Sequence, residues 1–291
     1  MKTLDVIRPF DPWNDPLCSC PKKYGFNPYT GCPHGCVYCY ITSYIPRGFE
    51  CRPKKNLAER VRRDLEMIGE GALISMSNSS DPYPPIEKKL ELTRESLKIF
   101  IQKKVRLQIV TKSDIVIRDI DLLKQLPVVV SFTVTSLRRE VTRKLEPLAP
   151  SPDKRIAAMK TLNEVGIPTT LRLDPIIPGV NDDEIREVIE AAAEAGAKHV
   201  TSSTFKPRPD SWRRFLLAFR DIAEKLSPLY FQAGKRHHNS WYLPKTLRLR
   251  LMEEVARSCR RNGVTFACCR EGFMGLNTGE SCDGSHLIFN L

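Results

Sequence analysis

Asn27-Pro28-Tyr29-Thr30-Gly31-Cys32-Pro33-His34-Gly35-Cys36-Val37-Tyr38-Cys39-Tyr40 sets three cysteines as C-x3-C-x2-C in one short loop punctuated by glycine and proline. A loop of this kind can wrap its thiolates around a single inorganic cluster, which is how iron–sulfur centres are held. Three ligands leave one iron of a four-iron cluster without a protein thiolate. An open position of that sort is where chemistry happens, as open catalytic zinc sites differ from closed structural ones. Two other readings compete. A zinc knuckle needs a fourth Cys or His at short spacing, and His34 lies inside the loop. A disulfide framework is weaker, because a chain of 291 residues does not need staples.

The three-cysteine motif, with the aromatic Tyr38 just before its last cysteine, resembles the radical S-adenosylmethionine (radical SAM) superfamily. The string NPYTGCPHGCVYCY around it is similar to the spore photoproduct lyase-like branch, also called DNA repair photolyase-like. The resemblance covers residues 24–205 and an ending rich in Cys and Gly. It implies a four-iron, four-sulfur (4Fe-4S) cluster on Cys32, Cys36 and Cys39, with S-adenosylmethionine bound at its open iron and Tyr38 near the adenine. It also implies reductive cleavage to a 5′-deoxyadenosyl radical, with the electron drawn from a donor such as ferredoxin or flavodoxin.

Composition is that of a globular protein, 41% hydrophobic and 27% charged. No apolar run approaches the about 20 residues that span a bilayer. Met1-Lys2-Thr3-Leu4-Asp5 lacks the apolar core of a signal peptide, so the expected compartment is the cytoplasm and no membrane partner is expected. The net charge of +12 favours a polyanionic partner, nucleic acid first. Ten cysteines in a reducing compartment point to metal or cluster ligation more than to cross-links.

Pro9, Pro12, Pro16 and Pro21 prevent a helix in residues 1–26, which read as an irregular arm carrying Cys18 and Cys20. In Leu57 to Ile68, apolar residues recur at Leu57, Val61, Leu65 and Ile68, as on a helix face. Strands are expected over 72–76, 105–111, 128–135, 169–173 and 199–204. Helices are expected over 86–104, 115–125, 151–165 (Ser151 as N-cap, Pro152 first) and 181–195 (Asn181 as cap). Alternation of this kind means parallel strands with right-handed crossovers, in a barrel or a doubly wound sheet. Periodicity does not choose between them; the resemblance implies an α/β partial (β/α)6 radical SAM barrel. The domains are then the arm 1–26, the core 27–208 and a helical and irregular C-terminal extension 209–291. That extension carries helices over 211–226 and 243–262, a basic and aromatic loop over 233–244 and a short strand over 264–267.

Functional side chains of such barrels come from the C-terminal ends of the strands. Ser77, Ser79 and Asp81 follow the second strand and are candidates for the ammonium of S-adenosylmethionine; Asp81-Pro82 is also an ordinary turn start. The family often has glycines and an acid at this place, so SNSSD departs from its pattern. Ser131 and Thr133 are candidates for the ribose, or simply a polar barrel interior. Lys112, and Arg155 ahead of Arg172, are candidates for a carboxylate. Glu146 and Asp174 precede prolines, where an acid orients substrate or only starts a turn.

Cys268, Cys269 and Cys282 stand in the Gly-rich ending. With Cys18, Cys20 and His286 they read as a second metal or cluster site, although the spacing matches no standard motif. A hydrogen-atom donor is the second reading, because the resembled lyase uses a cysteine that way; inert buried thiols are the third. Lys206, Arg208, Arg213, Lys235, Arg236, His237 and Trp241 form the expected nucleic-acid surface. The leading function is a radical SAM lyase or base-modifying enzyme acting on nucleic acid. Its competitors are modification of a protein or small molecule, and a non-catalytic iron–sulfur or zinc protein that binds RNA.

Overall fold

The computed structural model describes residues 3–10, 15–77 and 79–288. Its main sheet has eight strands lying side by side in chain order. They are β1 Ile7–Pro9, β2 Tyr24–Phe26, β3 Leu73–Met76, β4 Arg106–Thr111, β5 Val128–Thr133, β6 Thr169–Ile176, β7 His199–Thr204 and β8 Thr265–Cys268. β1 runs antiparallel to β2, and every other neighbouring pair is parallel. β2 to β7 are the six strands of the expected partial barrel, and β1 and β8 extend it at its two edges.

The strands alternate. Ile74 and Met76, Leu107 and Ile109, Val130 and Phe132, and Leu171 and Leu173 point outward into the core. There they meet the helices α1 Leu57–Met67, α2 Leu92–Gln102, α3 Pro152–Glu164 and α4 Ile185–Glu194. The other parity is mostly polar, with Ser75, Gln108, Ser131, Thr133, Thr170, Arg172, Thr201 and Ser203 beside the apolar Leu73, Val110 and Val129. A period of two therefore separates a dry layer under the helices from a polar barrel interior.

Residues 1–26 correct the sequence expectation, because β1 and β2 are strands within the supposed irregular arm. The buried Asp64 carboxylate on α1 explains the first: it accepts from the backbone N–H of Val6 at 2.7 Å and Ile7 at 2.9 Å. The helix expected over 86–104 breaks at Glu91, which takes a positive φ of 51°. Glu87 causes the restart, since its carboxylate accepts from the Thr93 N–H at 3.0 Å at the start of α2. Asn181 does not cap α4; its side chain accepts from Ile177 N at 2.7 Å and donates to the Thr135 carbonyl at 2.6 Å.

The helix expected over 211–226 is two, α5 Pro209–Ala218 and α6 Arg220–Phe231. A hairpin of Lys235–His237 with Ser240–Tyr242 follows, then α7 Lys245–Arg261. The tail then enters the barrel. Gln108 Nε2 donates to the Asp283 carbonyl at 2.7 Å, Thr201 Oγ1 to the Cys282 carbonyl at 2.9 Å, and Ile288 packs on Leu73 and Val129. Gly284 has φ +79°, and a Cβ there would sit 2.7 Å from Thr170 Cγ2, so only glycine passes. One short segment thus touches β3 through β7, which requires the sheet to curve around it. Among the described residues no helix is long and apolar enough to cross a membrane.

Candidate active site

The cysteine loop leaves β2 and is gripped on both sides. Tyr29–Thr30 pairs with Arg52–Pro53, and the Cys32 N–H donates to the Gly48 carbonyl at 2.8 Å. Gly31 makes the turn at φ +80°, where a Cβ would lie 2.1 Å from the Glu50 carbonyl oxygen. On the far side the Val37 N–H donates to the Leu145 carbonyl at 2.9 Å. Arg214, from α5, donates to the Val37 carbonyl at 3.2 Å and to the Cys39 carbonyl, and to Thr42 Oγ1 at 2.9 Å.

Cys32, Cys36 and Cys39 all line one cavity of about 850 Å³ at the C-terminal ends of the strands. That volume lies within the range of small-molecule sites. Burial is the first cause of the thiols' high pKa values, about 12 at Cys32 and Cys36 and about 11 at Cys39. Iron is the kind of charge that would deprotonate them. Three convergent thiols from one loop fit an iron–sulfur cluster with an open position. Beside them the buried Ser77 Oγ meets no hydrogen-bond partner among the described residues, and Ser77 lines the same cavity. An acceptor left open there fits a ligand that donates.

Of the candidates read from the sequence, Tyr38, Ser77, Ser79, Asp81, Lys112 and Thr133 line the cavity. Asp81 is also a structural brace: it accepts from Tyr83 N at 2.9 Å, Thr111 Oγ1 at 2.7 Å and Lys112 N at 2.7 Å. Two candidates, Ser131 and Arg155, lie outside the cavity lining. Ser131 lies below the cavity and accepts from Thr170 Oγ1 at 2.8 Å. Arg155 is fully buried behind the wall, donating to the Thr133 carbonyl at 3.0 Å and pairing with Glu146 at 2.5 Å. Glu146 does not reach the cavity either; it accepts the Tyr38 hydroxyl and so holds the ring. Burial opposes the Glu146 charge, but Arg155 and Lys112 outweigh it and lower the pKa. Lys112 shows the mirror image: burial disfavours its ammonium, and Cys36 and Glu146 hold it charged.

Arg172, ranked behind Arg155 from the sequence, is the arginine that faces the cavity, 2.7 Å from Asp174. Ser203 Oγ donates to the same carboxylate at 2.6 Å. Burial would raise the Asp174 pKa, but Arg172 and Lys206 lower it. Cys269 and Cys282 line the cavity, as do Cys18 and Cys20, whereas Cys268 packs in the core. Among the described residues no three cysteine sulfurs lie close enough together to hold a single ion; only Asp15, His237 and His238 bring three ligand atoms within 4.8 Å. There Arg270 already occupies the Asp15 carboxylate, donating from Nε at 2.7 Å. Sequence reasoning missed Arg214, whose exposed neighbour Arg213 it chose instead, and the buried Lys23–Asp283 pair beneath the cavity.

Residues 26–192 match the radical SAM superfamily. An uncharacterized protein of Methanocaldococcus jannaschii is 40% identical over 169 residues, which is 56% of this chain and 63% of that protein. The chain thus spans less than two thirds of that relative's length. A Pseudomonas phage M6 protein named radical SAM Nalpha-GlyT isomerase is 32% identical over 60% of this chain and 37% of its own. Among solved structures, spore photoproduct lyase complexed with dinucleoside spore photoproduct has a TM-score of 0.69 at 17% identity, covering 92% of this chain and 80% of that one. At that identity the likeness is one of fold.

Proposed function

The chain belongs to the radical SAM superfamily, and on that premise we propose that it cleaves S-adenosylmethionine reductively and acts on a nucleic-acid substrate. When bound, a four-iron cluster on Cys32, Cys36 and Cys39 would supply the electron that cleaves S-adenosylmethionine to a 5′-deoxyadenosyl radical. Ser77 Oγ and the Asp81 carboxylate are acceptors for the ligand's ammonium. Lys112 and Arg172 are cations for its carboxylate, and the Thr133 hydroxyl suits a ribose. Glu146 and Arg155 act through Tyr38, fixing the ring against the cavity wall. A ferredoxin or flavodoxin would deliver the electron.

The observation that carries the nucleic-acid reading is at the mouth. Tyr40 and Tyr44 are exposed there, stacked with centroids 5.9 Å apart, and the Arg208 guanidinium lies 5.5 Å from the Tyr40 ring. All three line the thiol-bearing cavity. Exposed aromatic faces beside cations are what stacked bases and a phosphate backbone require. Arg213, Lys235 and Arg236 are exposed and extend the charge. Three members of the surface read from the sequence are otherwise engaged. Lys206 Nζ donates to Glu271 at 2.7 Å, His237 meets Asp15 at 3.1 Å, and Trp241 packs on Phe231 at 5.2 Å.

The test has two arms. Anaerobically reconstituted protein with dithionite and S-adenosylmethionine should release 5′-deoxyadenosine; none would leave a non-catalytic binding protein. Labelled RNA and DNA should bind, more weakly at higher salt through counterion release, and about tenfold more weakly to Tyr40→Ala/Tyr44→Ala, given what base stacking contributes. Binding that is absent, or indifferent to both changes, would move the substrate to a protein or small molecule.

A further inference from the structure

Three cysteines remain beneath the cofactor cavity. Cys18 and Cys20 come from the segment before β2, and Cys282 comes from the tail, 262 positions after Cys20. The Cys282 Sγ lies 3.3 Å from the Cys20 Sγ, and all three residues line the cavity. The Cys18 side chain also hydrogen-bonds with Cys20. An ion is a poor reading of this group, because its three sulfurs do not fall within 4.8 Å of one another.

We propose that Cys20 and Cys282 form a redox modification site, a dithiol that closes to a reversible disulfide and ties the C-terminal tail to the segment that leads into β2. The partners are already held in place by other contacts. Asp283, next to Cys282, pairs with Lys23, three residues beyond Cys20. Gln108 and Thr201 fix the tail's carbonyls from opposite walls. Closing needs the sulfurs to move from 3.3 Å to a bond of about 2.05 Å, a side-chain adjustment of about 1.3 Å.

The chemistry is thiol–disulfide exchange with a low-molecular-weight disulfide that enters through the cavity. The Cys20 thiolate attacks one sulfur of that disulfide, and one small thiol leaves. The Cys282 thiolate then attacks Cys20 Sγ and expels the second. Two protein thiols are oxidised, one small disulfide is reduced to two thiols, and the two protons pass to those products. The contact with Cys20, and then burial, hold the Cys18 proton tightly; at Cys20 the contact with Cys18 works the other way, and Cys282 and burial outweigh it, pushing the thiol up to about 12. Basic thiols attack slowly at neutral pH but leave poorly, so the bridge forms slowly and resists reduction.

The experiment uses the cluster-loaded full chain, kept anaerobic and equilibrated with mixtures of oxidised and reduced glutathione. Tryptic digestion without reduction, read by mass spectrometry, should give the peptide containing Cys20 joined to the one containing Cys282, and dithiothreitol should release it. The bridge should persist in Cys18→Ser and vanish in Cys20→Ser. Hydrogen exchange over residues 279–288 should slow about tenfold when it forms. Glutathione adducts without a bridge, a Cys18–Cys20 bridge, or a bridge that survives Cys20→Ser would each overturn the assignment. So would a bridge that is no harder to reduce in the folded chain than in urea. Cys18 and Cys20 share one tryptic peptide, so fragmentation of the joined peptide between these two residues assigns the bridge in wild type even if a serine variant fails to fold.

Discussion

Asp283→Asn tests what holds the tail inside the barrel. The Lys23 and Asp283 side chains are 3% and 4% exposed and pair with each other at the floor of the cavity. Burial alone would raise the Asp283 pKa, but Lys23 overrides it and brings the value from 3.8 to about 2. A fall of that size is worth about 2 kcal/mol of stability at neutral pH. Because the folded value is the lower one, the contribution is fully present above 3.8 and is lost as pH falls through about 2. The amide leaves the Lys23 ammonium buried, with Gln108 Oε1 at 3.1 Å as a remaining acceptor. Removing one partner of a buried pair costs about 3 to 5 kcal/mol, so the loss at pH 7 should lie between about 2 and 5 kcal/mol. Urea unfolding of wild type and variant, at equal cluster loading, measures the gap. It should shrink across pH 4 to 2 as the wild-type carboxylate takes up its proton. Lys23→Met/Asp283→Leu should recover part of the loss. A gap that stays constant from pH 7 to 2 would show that the side chain matters through its shape and not its charge.

Cys32→Ala, Cys36→Ala and Cys39→Ala should each abolish the charge-transfer absorbance of reconstituted protein and all release of 5′-deoxyadenosine; retained cluster content and turnover would remove that residue from the site. Arg214→Ala should lower cluster retention, since it frees the Val37 and Cys39 carbonyls, while Arg213→Ala beside it should not; iron analysis after gel filtration compares the two. Gly31→Ala should destabilise the loop by about 1 to 3 kcal/mol, the usual cost of a strained backbone, read as earlier loss of cluster absorbance on heating. Glu146→Gln should leave cluster content unchanged and raise KM for S-adenosylmethionine, because the positioning of Tyr38 is weakened; an unchanged KM would detach Glu146 from the site.

The cluster loop and the strand–helix alternation were legible because both are local. Three thiols within eight positions need no knowledge of the rest of the chain, and β7 spans the expected residues 199–204. β1 and β2 were illegible because three-residue strands carry almost no period, and their neighbours are elsewhere: the acceptor that fixes β1 is Asp64, 57 positions beyond Ile7. The tail inside the barrel was illegible for a related reason. Its contacts are single residues on separate strands, Leu73, Gln108, Val129, Thr170 and Thr201, and no pattern within 279–288 announces them.

The two arginines show how far alternation itself can be taken. From the sequence Arg172 ranks behind Arg155 because it alternates with apolar Leu171 and Leu173, which turns it toward the barrel interior. In a partial barrel of six strands, inward is where the ligand binds. Leu171 and Leu173 are buried in the outer core, so the period of two forces Arg172 into the cavity with Ser203 and Thr133. Arg155 lies on α3, on the far side of the sheet, and meets only Glu146 and backbone carbonyls. The same parity argument places Ser75, Gln108 and Thr201 inside, and it excludes Cys268, which shares the outer face with Phe266. Candidate ligands on a parallel strand are therefore best ranked by parity against its apolar residues, and only then by chemical type.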